Sequence, residues 1–427
     1  MSIKRFISSH KSLTESFISL SALNMIESLM PLVTLPYVLR VIGAANYGIY
    51  SYILVIIQYS QLINAYGFNF SATKQIAQNR DNPEQINTIY SAVISCRLLL
   101  FLASSVLILA LSPLLLQTKQ EMLMFLMGLG IVLGDSLNPI WLFQGKEKMR
   151  YMTIVNSSTK IFFMLLIFVF IREADDFVYL ILYQSLGYLI SGILSIIIAI
   201  RIFSVKFKIP TWQEIVFQLK DGFAVFSSTI GMNLYRNANI FILKFFVSDA
   251  ALGIYSAAEK IIKGIQMLTN PIAQALFPHM SYNFKLNRFD QNLRTLKKTS
   301  LILGAILAVA TIATVVCAKW LVWLICGEEF MDATFLVRIM SPIVVLGGLN
   351  YMLGIVGLIN LNHARYFTYS VIIAGLLSVI TLLLTASQFG ILAGAGVMVE
   401  AESILLICIF ISLIIIKRTH NKSPHAQ

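Results

Sequence analysis

Apolar runs of about 20 residues, separated by short polar stretches, recur along the whole chain. A helix of ~20 residues is what crosses a hydrocarbon core of ~30 Å. The pattern predicts twelve spans, at residues 15–38, 45–68, 86–113, 122–143, 152–171, 177–200, 219–247, 251–277, 299–324, 333–358, 366–387 and 391–416. All are read as helices, because lipid offers no partner to an unpaired strand edge.

One phrase occurs twice. Gly48–Gln61 reads GIYSYILVIIQYSQ and Gly253–Gln266 reads GIYSAAEKIIKGIQ, a register of 205 residues with seven of fourteen positions identical. An offset near half the chain marks a duplicated half, since short solenoid repeats recur every 20–50 residues. Six spans per half give both halves the same orientation, so the repeat is parallel, about an axis along the membrane normal. The expected fold is an all-α polytopic membrane protein with twelve transmembrane helices in two pseudo-symmetric six-helix lobes. The lobes are residues 1–205 and 219–416, joined by a linker at 206–218 and followed by a tail at 417–427.

Composition agrees. The chain is 58% hydrophobic and 12% charged, with mean hydropathy +0.80, against roughly 25% charged residues in soluble domains. The net charge of +12 is therefore read as topology, with no nucleic-acid partner. With the N-terminus inside, 21 of the 32 Lys and Arg residues fall on the inner side and only Arg40, Lys119, Arg172, Lys244, Lys319 and Arg338 outside. That split predicts cytoplasmic N and C termini. The basic stretch at 278–298 reads as the longest inner loop. No GxxxxGK[ST] loop is present to bind ATP, and no cofactor or metal is expected. The five His lie in or next to loops, and Cys96, Cys317, Cys326 and Cys408 read as small apolar fillers.

Chemistry is sought where charge meets membrane depth. Five bases (Arg97, Lys160, Arg236, Lys260, Lys263) and five acids (Glu27, Asp135, Glu259, Glu400, Glu402) fall within predicted spans. Each costs about 2.5–3.5 kcal/mol on insertion scales, so such groups face a wet cavity or one another. The second copy of the repeat replaces Leu54, Val55 and Gln58 by Glu259, Lys260 and Lys263. Glu259, Lys263, Gln266 and Asn270 then form one helical stripe. Asn233, Arg236 and Asn237 share a face, and Asn24 and Glu27 stand one turn apart. The candidate substrate-binding set is Arg236, Lys260, Lys263, Arg97, Lys160, Asn24, Asn233 and Gln266, with Glu27, Asp135 and Glu259 for ion coupling. The bland alternative is a structural pair such as Glu259 with Lys263. Pro31, Pro36, Pro271 and Pro278 break the i→i−4 hydrogen-bond ladder of their helices, and the kinks serve as hinges or cavity-lining bends or are harmless. Gly130-x-x-x-Gly134 and Gly390-x-x-x-Gly394 permit close helix packing.

A cationic cavity with neither motor nor catalytic centre reads as a secondary transporter for an anionic substrate, and not as an enzyme. The strings PLVTLPYVLRVIGAANYGIYSY (Pro31–Tyr52), NAYGFNFSATKQIAQNR (Asn64–Arg80), WLFQGKEKMRYMTIVN (Trp141–Asn156) and FPHMS (Phe277–Ser281) resemble the Wzx-type flippases of the polysaccharide transport family. That family lies within the multidrug/oligosaccharidyl-lipid/polysaccharide flippase superfamily. The resemblance implies movement of undecaprenyl-diphosphate-linked oligosaccharide, such as O-antigen units, across the bacterial inner membrane by ion-coupled alternating access. It further implies proton or sodium coupling, contact with membrane lipids, a functional monomer, and association with the polymerase and chain-length regulator of the pathway. A multidrug or cation antiporter of the same superfamily and a membrane polymerase or ligase stay as alternatives.

Overall fold

The computed structural model describes residues 11–267, 289–361 and 363–422, with side chains described outside 11–29, 31, 224, 228–236, 289–290 and 419–422. The described residues form helices joined by short turns and connections, without strands. Nine helical segments among them are long and apolar enough to cross a membrane: Leu32–Gln78, Pro83–Ala110, Lys119–Gly145, Met149–Phe170, Ala174–Phe203, Gln291–Cys326, Ala333–Ile359, Ala364–Phe389 and Ile391–Arg418. Leu102, Phe162, Ile193, Val316, Leu384 and Ile411 stand exposed on these segments. On a chain so poor in charge, that apolar exterior suits acyl chains as solvent. The protein is a multi-pass membrane protein.

Backbone proximity divides the chain into Met1–Asn233 and Leu234–Gln427. The first unit opens with α1 (Lys11–Ala65), whose backbone leaves helical geometry only at Gly43 (φ 75°, ψ 175°). That conformation suits a residue without Cβ. Pro31 and Pro36 thus lie within helical backbone. Proline removes one hydrogen bond, yet the dihedrals stay helical through both, and the change of direction falls at the glycine.

After α1 come α2 (Phe68–Gln78), α3 (Pro83–Ala110), α4 (Lys119–Leu137), α5 (Ile140–Gly145), α6 (Met149–Phe170), α7 (Phe177–Phe203) and α8 (Trp212–Leu243). Local chemistry sets the starts. Asn82 caps α3 by accepting from Gln85 N at 3.1 Å, with Pro83 in the first turn. Thr118 and Glu121 form a capping box on α4. At the turn after α1, the buried side chains of Phe68, Ile76, Tyr90, Trp141, Phe143 and Ile215 gather α2, α3, α5 and the start of α8 into one core.

The α4–α7 pairing is the most extensive in this unit. A Cβ on Gly134 would meet the Tyr188 carbonyl carbon at 2.3 Å and its oxygen at 2.4 Å, so backbone lies against backbone there. The Gly130-x-x-x-Gly134 pattern is realised as a close helix crossing. Gly134→Ala is expected to force the pair apart, costing about 1–3 kcal/mol as overpacking does. A thermal melt of detergent-solubilised protein reads this directly, and an unchanged midpoint would dissociate the pattern from packing.

The second unit contains α9 (Asp249–Met267), α10 (Phe289–Cys326), α11 (Ala333–Met340), α12 (Pro342–Asn350), a π-helical run Tyr351–Ile359, α13 (Ala364–Phe389) and α14 (Ile391–Lys422). Here α13 pairs with α14, α10 with α12, and α9 with α11. The basic stretch expected as loop up to Lys298 is already helix from Phe289, because Asn292 and Leu296 turn inward and give it a buried face. Pro271 and Pro278 lie outside the described residues. Cys96 and Cys326 are buried, Cys408 is half-buried, and Cys317 is exposed.

Candidate functional site

The repeat is most informative where its two copies differ. Tyr50 and Tyr255 are equivalent and both buried, yet Tyr50 Oη accepts from Gln184 Nε2 on α7 whereas Tyr255 Oη accepts from Asn239 Nδ2 at 3.0 Å. One turn beyond Tyr255, α9 carries the charges that the first copy lacks. Glu259 is 2% exposed, and Lys263 Nζ lies 2.9 Å from its Oε1. The lysine side chain is itself 38% exposed. Gln266 Nε2 donates to Ile343 O at 3.0 Å, across a notch that a Cβ on Gly347 would fill. Glu259, Lys263 and Gln266 therefore share one stripe, and Asn270 lies outside the described residues. Lys260 is half-buried, and among the described residues no carboxylate forms an ion pair with it.

In the first unit the structure brings together residues that are far apart in sequence. Arg97 on α3 is 2% exposed; its Nη2 lies 2.5 Å from Asp135 Oδ2, and its Nη1 donates to Asn138 O at 2.9 Å. That carbonyl is available because Asn138-Pro139 ends α4 before α5 begins. Asn138 Nδ2 in turn donates to Asn156 Oδ1 at 3.2 Å, which also accepts from Ser191 Oγ. A polar chain thus runs through α3, the α4–α5 break, α6 and α7. Arg97 Nε and Asn138 Oδ1 are buried within it without a hydrogen-bond partner. Lys160 Nζ sits 4.4 Å from the centre of the Tyr188 ring, a cation–π contact.

Arg97 and Asp135, like Lys263 and Glu259, are thus partners of each other. Sequence reasoning missed Asn138, Asn156 and Ser191, whose short uncharged side chains disappear into apolar runs; only the Asn138-Pro139 dipeptide was a readable break signal. In the second unit Asn350 Nδ2 donates to Glu402 Oε2 at 2.6 Å and Glu402 O at 2.9 Å, and Glu400 Oε1 accepts from Thr381 Oγ1 at 3.0 Å. Asn24, Glu27, Asn233 and Arg236 lie on helical backbone in α1 and α8, their side chains outside the described residues.

This architecture is that of a polytopic helical membrane protein. The fold is similar to an inward-facing multidrug resistance MATE family transporter of the MOP superfamily, with TM-score 0.71 and 13% identity over 96% of this chain and 100% of that one. It is also similar to the lipid II flippase MurJ in an inward closed conformation, with TM-score 0.74 and 13% identity over 92% of this chain and 87% of that one.

A family model described as "Polysaccharide biosynthesis protein" matches residues 13–284, and the chain belongs to that family. It is 28% identical over 411 residues to a protein of Escherichia coli strain K12 named "Putative O-antigen transporter", covering 96% of this chain and 98% of that protein. A protein of the same name from Shigella dysenteriae is 30% identical over 256 residues, covering 59% of this chain and 63% of that one. These relatives agree with the resemblance to Wzx-type flippases carried by the sequence strings, and they are named as transporters, not enzymes.

Proposed function

We propose that this protein flips undecaprenyl-diphosphate-linked oligosaccharide repeat units, of O-antigen or a related surface polysaccharide, from the cytoplasmic to the periplasmic leaflet of the bacterial inner membrane. The single observation that carries this reading is the ionic stripe of α9, present in one copy of the repeated segment and absent from the other. The near-full-length relative named as an O-antigen transporter supplies the cargo class. In this proposal Lys260 and Lys263, with Arg236, Arg97 and Lys160, meet the diphosphate, since ammonium and guanidinium groups in a low-dielectric setting bind phosphate oxygens strongly. Asn24, Asn233 and Gln266 meet the glycan. Glu27, Asp135 and Glu259 exchange a proton or sodium ion as the lobes 1–205 and 219–416 rock about the linker 206–218. The polyprenyl tail stays in lipid.

The proposal carries twelve spans with both termini in the cytoplasm, a functional monomer, and association with the polymerase and chain-length regulator. Lys260 and Lys263 favour an anionic cargo over the cationic drugs of an antiporter. The test is a deletion strain. Lipid-linked repeat units are expected to accumulate on the inner leaflet, out of reach of a glycan-labelling reagent added to spheroplasts, and re-expression is expected to restore surface polysaccharide. Unchanged surface glycan with heightened drug sensitivity would instead favour the antiporter.

A further inference from the structure

The chain between α7 and α8 does not hang in solvent as a slack connection. Lys206 N donates to Asn87 Oδ1 at 2.8 Å and Lys208 N to Ser91 Oγ at 2.9 Å. Asn87 and Ser91 stand one turn apart on α3, so alternate amides of the linker are pinned along a membrane helix. Val205 is tucked inward at 3% exposure. Thr211 and Glu214 then exchange hydrogen bonds at 2.7 and 3.3 Å as a capping box that starts α8. Two linker amides and the α8 cap are satisfied, yet the outward side chains are wrong for water: Ile209 is 91% exposed and Trp212 70%, beside an exposed Phe207. Lys206 and Lys208 alternate with them and are exposed as well.

Position decides between water and lipid. One candidate span ends at Phe203 and another begins at Pro83, so a segment lying along the first turns of α3 sits at the bilayer edge. Aromatic and aliphatic side chains interleaved with lysine at that depth match an interface whose upper layer is anionic and whose lower layer is acyl chain.

We propose that residues 205–212 form a membrane anchor that grips the headgroup region of one leaflet. Lys206 and Lys208 lie on anionic phosphates, and Ile209 and Trp212 reach the acyl boundary. With the orientation argued from the Lys and Arg distribution, that leaflet is the cytoplasmic one. The connection between the two halves is then held to the first unit and to the lipid surface together.

The test uses the full chain with its four cysteines replaced and Ile209→Cys carrying an environment-sensitive fluorophore. It is reconstituted in vesicles of phosphatidylethanolamine with phosphatidylglycerol, or of phosphatidylcholine alone. The expected result is blue-shifted emission, quenched by a shallow lipid-borne spin label and protected from aqueous iodide. Lys206→Glu with Lys208→Glu is expected to weaken the phosphatidylglycerol-dependent protection by about fivefold per lysine. Folding should survive, because the pinning uses backbone amides and not the lysine side chains. Efficient iodide quenching would overturn the anchor. So would identical protection in both vesicle types, or a response only to an added polyprenyl diphosphate, which would mark substrate capture instead.

Discussion

Asp135→Ala is expected to lower folding stability by about 3–5 kcal/mol, the usual cost of removing one partner from a buried ion pair. Arg97→Met should cost less. The asymmetry follows from exposure: within the pair the Arg97 side chain is 3% exposed and Asp135 30%. Without Asp135 the guanidinium keeps only the Asn138 carbonyl in an enclosed setting. Without Arg97 the carboxylate is left at a less enclosed position. The measurement is the yield of monodisperse protein in detergent and its melting midpoint. The same ordering tests why α4 stops where it does, since Arg97 satisfies a carbonyl exposed at the Asn138-Pro139 break. Equal losses in the two variants, or a greater loss for Arg97→Met, would show that the pair is not organised around the buried arginine.

A combined Arg97→Met, Asp135→Leu variant separates folding from transport. Apolar replacement of both members of a buried pair is often neutral or stabilising. The double variant is therefore expected to recover folding. If it also restores surface polysaccharide, then neither residue serves the diphosphate or the coupling ion, and the proposed site loses its α3 and α4 members.

What could be read from the chain alone followed from period and composition. The apolar runs placed the ends of α3, α7 and α13 within a few residues, because lipid imposes one length on every crossing. The i,i+4 spacing made Glu259 and Lys263 visible as a pair. The Arg97–Asp135 pair was not visible as one, because helix periodicity cannot relate residues 38 positions apart on different helices. The Asn138–Asn156–Ser191 chain was missed for the same reason, compounded by the low hydropathy signal of single amides. The prolines were legible as missing N–H donors, but a missing N–H frees a carbonyl without obliging the backbone to turn. Gly43 could turn, having no Cβ to clash.

Lys263→Met is expected to abolish surface polysaccharide, whereas Glu259→Gln is expected to hold lipid-linked diphosphate more tightly and still fail to turn it over. One ammonium here has two claims on it. Lys263 is accessible enough to reach a substrate but is engaged by a Glu259 that is almost wholly enclosed. Binding a diphosphate to Lys263 must draw the lysine from Glu259, whose buried carboxylate then needs another cation. A proton or sodium ion meets that need, and competition for one lysine would couple cargo to ion. A charged hydrogen bond to phosphate contributes about 1.5–3 kcal/mol, so Lys263→Met should weaken diphosphate retention by roughly 10- to 100-fold. Glu259→Gln removes the competitor and strengthens binding while severing the coupling. Retention assays in reconstituted vesicles, paired with surface-glycan blots, resolve the two effects. Opposite changes in retention with loss of glycan in both variants support the competition. Full glycan in Glu259→Gln would leave Lys263 as a ligand without a coupled acid.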